Sequence, residues 1–261
     1  MRYIDIHAHV FPENIASKAV TSLEAYYNFK WGGNGLLSDL GASMEESGVE
    51  KSVIFSTATK VTQVDSINNY ISGLCASDSR FIGFGTMHPD YSDIRGAIAR
   101  FRELGLRGLK LHPDFQQFDI DDPRMFKIYE EIGDTMPILI HLGDENVDYS
   151  APRRLARVLD AMPELNVIGA HFGGYCRWEE AEKYLIGKRK LYLDPSSCFH
   201  KMSYEEGRRI VRAHGAEHIL FASDYPAVRQ KKAIEDVMKM QLTQEENELI
   251  FYKNACKLLG I

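Results

Sequence analysis

The chain has 261 residues, of which 44% are hydrophobic and 26% charged, and 31 Lys+Arg against 37 Asp+Glu give a formal net charge of -6. This composition excludes a disordered chain and argues against nucleic acid as a partner, since that binding rests on clustered cations. No apolar run reaches the ~18 residues of a membrane span, the start MRYIDIHAHV lacks a signal-peptide layout, and the four cysteines form no CxxC pair, so a cytoplasmic protein with reduced thiols is expected.

Short apolar runs rich in β-branched residues predict strands at Tyr3–Ile6, Ser52–Ser56, Phe81–Thr86, Gly108–Leu111, Ile138–His141, Val167–Ala170, Leu191–Asp194 and Ile219–Ala222. Most lack polar alternation, as strands covered on both faces do. The segments between them carry helical signals. Ile94, Ala97, Ile98, Phe101 and Leu104 share one face, as do Leu155, Val158, Leu159 and Met162. Asp122-Pro123 and Ser150-Ala151-Pro152 read as helix starts, and Ser203 with Glu206 and Thr243 with Glu246 have capping-box spacing. Eight strand–helix units of roughly thirty residues predict an α/β fold, a (β/α)8 TIM barrel filling a single domain over residues 1–261. The interval after the first strand is too long for one unit, so residues 10–48 are expected to include an insertion that folds over the barrel mouth.

In such a barrel the reactive side chains stand at the C-terminal ends of the strands. Six of the nine histidines (His7, His9, His88, His112, His141 and His171) fall there. His7 and His9 are two apart on a strand, so both can face the axis and offer imidazole nitrogens to one ion. Such a pair alone is equally an ordinary hydrogen-bonding feature. His141 and Asp224 on later strands turn the balance toward a divalent metal, with zinc expected from nitrogen donors joined to one carboxylate. By parity Lys110 also faces inward, where an ion pair with Asp5 is expected, because a buried ammonium needs a charged partner. His112 is expected to face the pocket as a substrate donor, and Tyr175 and Arg177 to hold a substrate carboxylate. His200, His214 and His218 read as structural, and Asp144 and Glu145 as solvated loop carboxylates.

The motifs DIHAH, IH at the fifth strand, AHFGG, LYLDPSS and ILFASDYP resemble, in order from Tyr3 to Pro226, the amidohydrolase superfamily. Within it they resemble the branch holding aminocarboxymuconate semialdehyde decarboxylase, related aromatic-acid decarboxylases and lactonases. The resemblance implies that His7, His9, His141 and Asp224 bind the metal, with Asp224 and His171 catalytic. It also offers His171 as ligand of a second ion and Lys110 as a carbamylated bridge, although one ion is the expectation. The implied function is hydrolysis of a small amide, lactone or related carbonyl compound by a metal-activated water. The alternative is non-oxidative decarboxylation of a small aromatic or enoic acid. A metal-dependent nuclease is disfavoured by KLHP at the fourth strand and by the net charge, and a non-catalytic binding protein by the complete ligand set. The expected partner is a small-molecule substrate, with no nucleic acid and no membrane, in a chain for which the resemblance implies a homodimer.

Overall fold

The computed structural model describes residues 1–261. Seven parallel strands pair in chain order: β1 (Ile4–His9), β2 (Lys51–Phe55), β3 (Phe81–Thr86), β4 (Gly108–Leu111), β5 (Ile138–Ile140), β6 (Val167–Gly169) and β7 (Leu191–Leu193). Helical crossovers return the chain to the same end each time, which makes every pairing parallel and leaves the strands sheathed by helices. The result is a TIM-type barrel. No helix is long and apolar enough to cross a membrane.

The predicted eighth strand, Ile219–Ala222, forms no ladder. Single parallel bridges join Leu193 to Ile219 and Ala8 to Tyr225. The Leu220 N–H donates to the Leu193 carbonyl at 2.9 Å, and the Ile6 N–H to the Phe221 carbonyl at 3.0 Å. The segment closes the ring between β7 and β1, but its pairing is interrupted. The Phe221 N–H turns to the Ile250 carbonyl, and Asp224 adopts a left-handed φ of 59°, which ends the pleat.

Helix starts largely follow the sequence signals. Asp93 and Asp122 accept backbone N–H groups at their helices, and both predicted capping boxes form, at Ser203/Glu206 and Thr243/Glu246. The helix Pro152–Ala161 differs: its N-cap is Ala151 without a side-chain cap, because the preceding Ser150 is drawn inward and donates its N–H to Asp114.

Side-chain parity divides the core in two. A 52-residue cluster fills the layer between sheet and helices, and a 14-residue cluster containing Ile4, Ile6, Val53, Phe55, Leu139, Ile168, Tyr192 and Leu220 fills the barrel. The register of β1 against β2 shifts between Asp5 and Ala8. This bulge places an extra residue in β1 and reverses its inward–outward order. Ile4 and Ile6 therefore join the barrel interior below, while His7 and His9 turn inward above. Asp5 points out of the barrel, bonding to the Ser223 hydroxyl (2.6 Å) and Gln230 Nε2 (2.8 Å).

The long first interval holds α1 (Glu13–Tyr27) and α2 (Leu37–Ser47). The second packs on the outer wall, where its Ser43 hydroxyl accepts the Gln230 N–H. Only the first, with the loop that follows it, leans over the strand ends, and Asn28 caps it in the left-handed conformation.

Candidate metal centre

The inward turn of β1 brings His7 Nε2 to 3.2 Å from His9 Nε2 and 3.2 Å from Asp224 Oδ1, with His9 Nε2 3.4 Å from the same carboxylate oxygen. Asp224 is fixed from both sides: its N–H donates to the His7 carbonyl, and the Ser197 hydroxyl donates to its Oδ2 at 2.7 Å. His141 lies outside this trio. Its Nδ1 faces His171 Nε2 at 3.0 Å, and it groups with His112 and Asp114.

The outer nitrogens determine what the inner ones can do. His7 Nδ1 meets Asp194 Oδ2 at 3.1 Å, His171 Nδ1 meets the Ser196 carbonyl at 2.8 Å, and His141 Nε2 meets the Gly143 carbonyl at 3.0 Å. Carboxylates and carbonyls only accept, so each of these outer nitrogens carries the proton. The inner nitrogens (His7 Nε2, His171 Nε2 and His141 Nδ1) are thereby left as lone pairs. Lone pairs of His141 and His171 confront one another at 3.0 Å, and that of His7 faces a carboxylate oxygen and the Lys110 ammonium, each at 3.2 Å. Buried acceptors brought together in this way suit a cation, and an outer N–H bound to a protein acceptor is the arrangement that orients imidazole ligands. His7, His9 and Asp224 thus fit a divalent metal ion, and the facing lone pairs of His141 and His171 form a second donor pair beside them.

Electrostatics agrees. Burial, reinforced by Lys110, keeps the His7 imidazole neutral far below its ordinary pKa, and burial likewise lowers His9 and His141. Burial alone would raise Asp224, but His7, His9 and His171 outweigh it and hold the carboxyl well below the usual carboxylate range. His171, Phe172 and Asp224 have φ of 57°, 53° and 59°. For Phe172 such a conformation costs on the order of 1 kcal/mol, and it is sustained by hydrogen bonds on both sides. The Phe172 N–H donates to the Asp194 carbonyl, and Trp178 Nε1 donates to the His171 carbonyl. Gly143, at φ 83°, is where the loops after β5 and β6 touch. A Cβ there would lie 2.4 Å from the Tyr175 backbone, so only glycine lets its carbonyl reach His141.

Two expectations need correction. Lys110 does not pair with Asp5, since the bulge has turned that carboxylate out of the barrel. Its fully buried Nζ sits 3.2 Å from His7 Nε2 and over the Phe55 ring, and burial lowers its pKa to about 8. Arg177 does not face the cavity. Its guanidinium binds the Asp144 and Val147 carbonyls and the Asp148 carboxylate, tying down the loop after β5. His112 and Tyr175 do line the cavity. His112 is stacked between Phe115 and His141 at 4.1 and 3.9 Å, with its Nε2 3.3 Å from the Tyr27 hydroxyl.

Sequence reasoning missed Asp194 and Ser196, which orient His7 and His171, and Asp114, whose carboxylate lies 3.7 Å from His141 Nε2. Asp194 stood within the quoted LYLDPSS motif, at the end of the seventh strand, and that position was the available signal. His200, read as structural, reaches the cavity, stacks on Phe29 at 4.4 Å and bonds Tyr175 through its Nε2. Asp144 is not a free loop carboxylate either, because it accepts the Tyr26 hydroxyl at 2.9 Å.

The strand ends open into a cavity of about 450 Å³. Its floor is His9, His141, His171 and Asp224, and its roof is Tyr26, Tyr27, Phe29 and Trp31 from α1 and the following loop. Volume and mixed lining suit a small-molecule site.

Solved structures share this architecture. An uncharacterised TIM-barrel protein of Bordetella bronchiseptica superposes with a TM-score of 0.82 at 17% identity, covering 100% of this chain and 99% of that one. A dihydroxybenzoic acid decarboxylase of Polaromonas, solved with manganese and 2-nitroresorcinol, gives 0.75 at 15% identity, covering 99% and 96%. A Pseudomonas putida protein provisionally named 2-pyrone-4,6-dicarboxylic acid hydrolase gives 0.67 at 18% identity, covering 99% and 97%. At these identities the likeness speaks for the barrel. No curated protein sequence matches the chain. The sequence profile described as amidohydrolase matches residues 4–261, from the first residue of β1 to the C-terminus, and the chain belongs to the amidohydrolase family.

Proposed function

We propose that the protein is a metal-dependent hydrolase of a small amide, lactone or related carbonyl compound. The observation that carries this reading is the cluster of His7, His9 and the ionised Asp224, beside the facing lone pairs of His141 and His171, at the base of the cavity. When bound there, a divalent ion supplies Lewis acidity and brings the ionisation of a water toward neutral pH. The abundance of nitrogen donors beside one carboxylate favours zinc, with manganese the competing occupant. Asp224 accepts the proton of the attacking water on the oxygen facing His7 and His9, while Ser197 holds its other oxygen. Its depressed pKa keeps it ionised. His171, oriented through Nδ1 by the Ser196 carbonyl, offers its Nε2 lone pair to the ion, and the proton taken up by Asp224 passes to the leaving group as the scissile bond to the carbonyl carbon breaks. Free thiols at Cys75, Cys176, Cys198 and Cys256 support a reducing, cytoplasmic setting.

A second reading is favoured by the aromatic roof: the same floor decarboxylates an aromatic acid, with His171 handling the proton that replaces carbon dioxide. The test is one experiment with two arms. Zinc-loaded protein is assayed on a panel of lactones and amides and, separately, for bicarbonate release from aromatic acids. Metal-dependent ring opening or amide cleavage is expected. Bicarbonate release without hydrolysis selects the second reading and ends the first.

A further inference from the structure

The cavity is rich in aromatic surface and poor in positive charge. Seven of the 20 residues lining it are Phe, Tyr or Trp, against 11% aromatic residues in the whole chain. None is a lysine or arginine. Basic side chains close to the cavity are already engaged. Arg177 holds the loop carbonyls, Lys201 pairs with Glu145 at 2.7 Å, and Arg229 pairs with Asp39 at 3.0 Å. Lys110 lies beneath the floor against His7. Positive charge would therefore reach a ligand only from a divalent ion held where the lone pairs gather.

Directly above the floor histidines the ring surfaces are arranged to take a flat molecule, with Tyr27 6.3 Å from His141 and Tyr175 5.9 Å from His171. Tyr26, Tyr27 and Phe115 pack edge to face, at centroid distances of 5.0, 5.0 and 6.0 Å, and Tyr27 meets Tyr175 edge-on at 5.7 Å. Such T-shaped clusters present ring faces and edges to an incoming π system. A carboxylate placed among them would give up part of its hydration to ring surface, with no lysine or arginine in the lining to compensate.

We propose that the cavity selects planar, unsaturated ring compounds carrying one anionic group, delivered to the metal end, and rejects those with a second carboxylate. This rests on the metal-dependent reading above and narrows it: a dicarboxylic acid such as the one naming the Pseudomonas putida neighbour lies outside the substrate class. The roof contributed by α1 is the specificity-determining element.

The test is calorimetric titration of the zinc-loaded protein with benzoate, cyclohexanecarboxylate and isophthalate. Benzoate is expected to bind about tenfold or more tightly than isophthalate, and about fivefold more tightly than cyclohexanecarboxylate. Thr59 lines the exposed rim, with its hydroxyl on Gln63, and plays no part in the floor. In Thr59→Arg the added guanidinium is expected to narrow the benzoate-to-isophthalate ratio by about fivefold. Isophthalate binding as tightly as benzoate, or no saturable benzoate binding, overturns the proposal, as does an unchanged ratio in the Thr59→Arg variant. Binding is read without turnover, so the two readings fail separately. Discrimination among the acids without metal-dependent hydrolysis removes only the hydrolase, and hydrolysis without discrimination removes only the charge selection.

Discussion

The floor and the roof of the cavity are built on opposite principles. Floor residues stand at or just beyond strand ends, are buried or nearly so, and have their outer nitrogens fixed by Asp194, Ser196 and Gly143. Roof residues come from one helix and a loop, are partly exposed, and are held mainly by ring packing and two hydroxyl contacts, Tyr26 to Asp144 and Tyr27 to His112. A lone pair can be aimed only by a rigid frame with its second partner satisfied. A ring surface tolerates rearrangement, because dispersion contacts have little direction. Chemistry therefore resides in the barrel and selectivity in the insertion, and the two should respond differently to mutation.

The largest expected effect is at the floor. Asp224→Asn keeps the shape but removes the base and an anionic ligand, so turnover should fall about a thousandfold or more. Metal content, measured per chain after dialysis, should fall with it. Asp194→Asn tests the outer shell. It leaves every inner donor in place but loosens the tautomer of His7, and zinc affinity measured by chelator competition should drop about 10–100-fold. Retention of wild-type affinity would break the contrast between a rigid floor and a pliable roof.

Arg177→Ala separates scaffolding from binding. The guanidinium bonds the loop after β5 and Glu180, and no cavity group, so denaturant unfolding should register a loss of about 1–3 kcal/mol while KM stays within about twofold. A large rise in KM with unchanged stability would return Arg177 to the substrate.

Protonation offers a test in the metal-free protein. Burial raises Asp114 to about 7 from an ordinary 3.8. The folded state thus holds a proton that the unfolded chain releases near pH 4, and the stability this gives below pH 4 is lost as pH rises from about 4 to about 7. Chemical denaturation across that window should show a shallower decline for Asp114→Asn than for the wild type. The smallest effect is expected at the roof: Tyr26→Phe deletes one hydrogen bond to Asp144, changing stability by about 1 kcal/mol or less and raising KM only a few-fold.

Much of this was legible in the residues themselves. Strands β3 and β4 fall on their predicted bounds, since unbroken apolar runs such as FIGFGT and GLKL suit strands covered on both faces. Of the expected set, His7, His9 and Asp224 come together, whereas His141 stands with His112 and Asp114. Other features were hidden for identifiable reasons. The bulge in β1 has no mark in IDIHAH, because an extra residue in a ladder is defined by its neighbour strand. It overturned the Lys110–Asp5 pair by sending the two side chains to opposite sides of the sheet. Arg177 in isolation reads equally as a carboxylate fork or a loop clamp, and only the carbonyls folded around it decide.

The sequence by itself determined the alternation of strand and helix and placed the donor residue types at the strand ends, because both are local properties of pattern and position. Tertiary structure alone decided which nitrogen of each histidine keeps its lone pair, that Lys110 sits beneath the metal floor, and that the roof offers rings without a cation. Those properties depend on acceptors and surfaces brought together from segments far apart in the chain, and a hydrogen-bond partner does not exist until the fold supplies it.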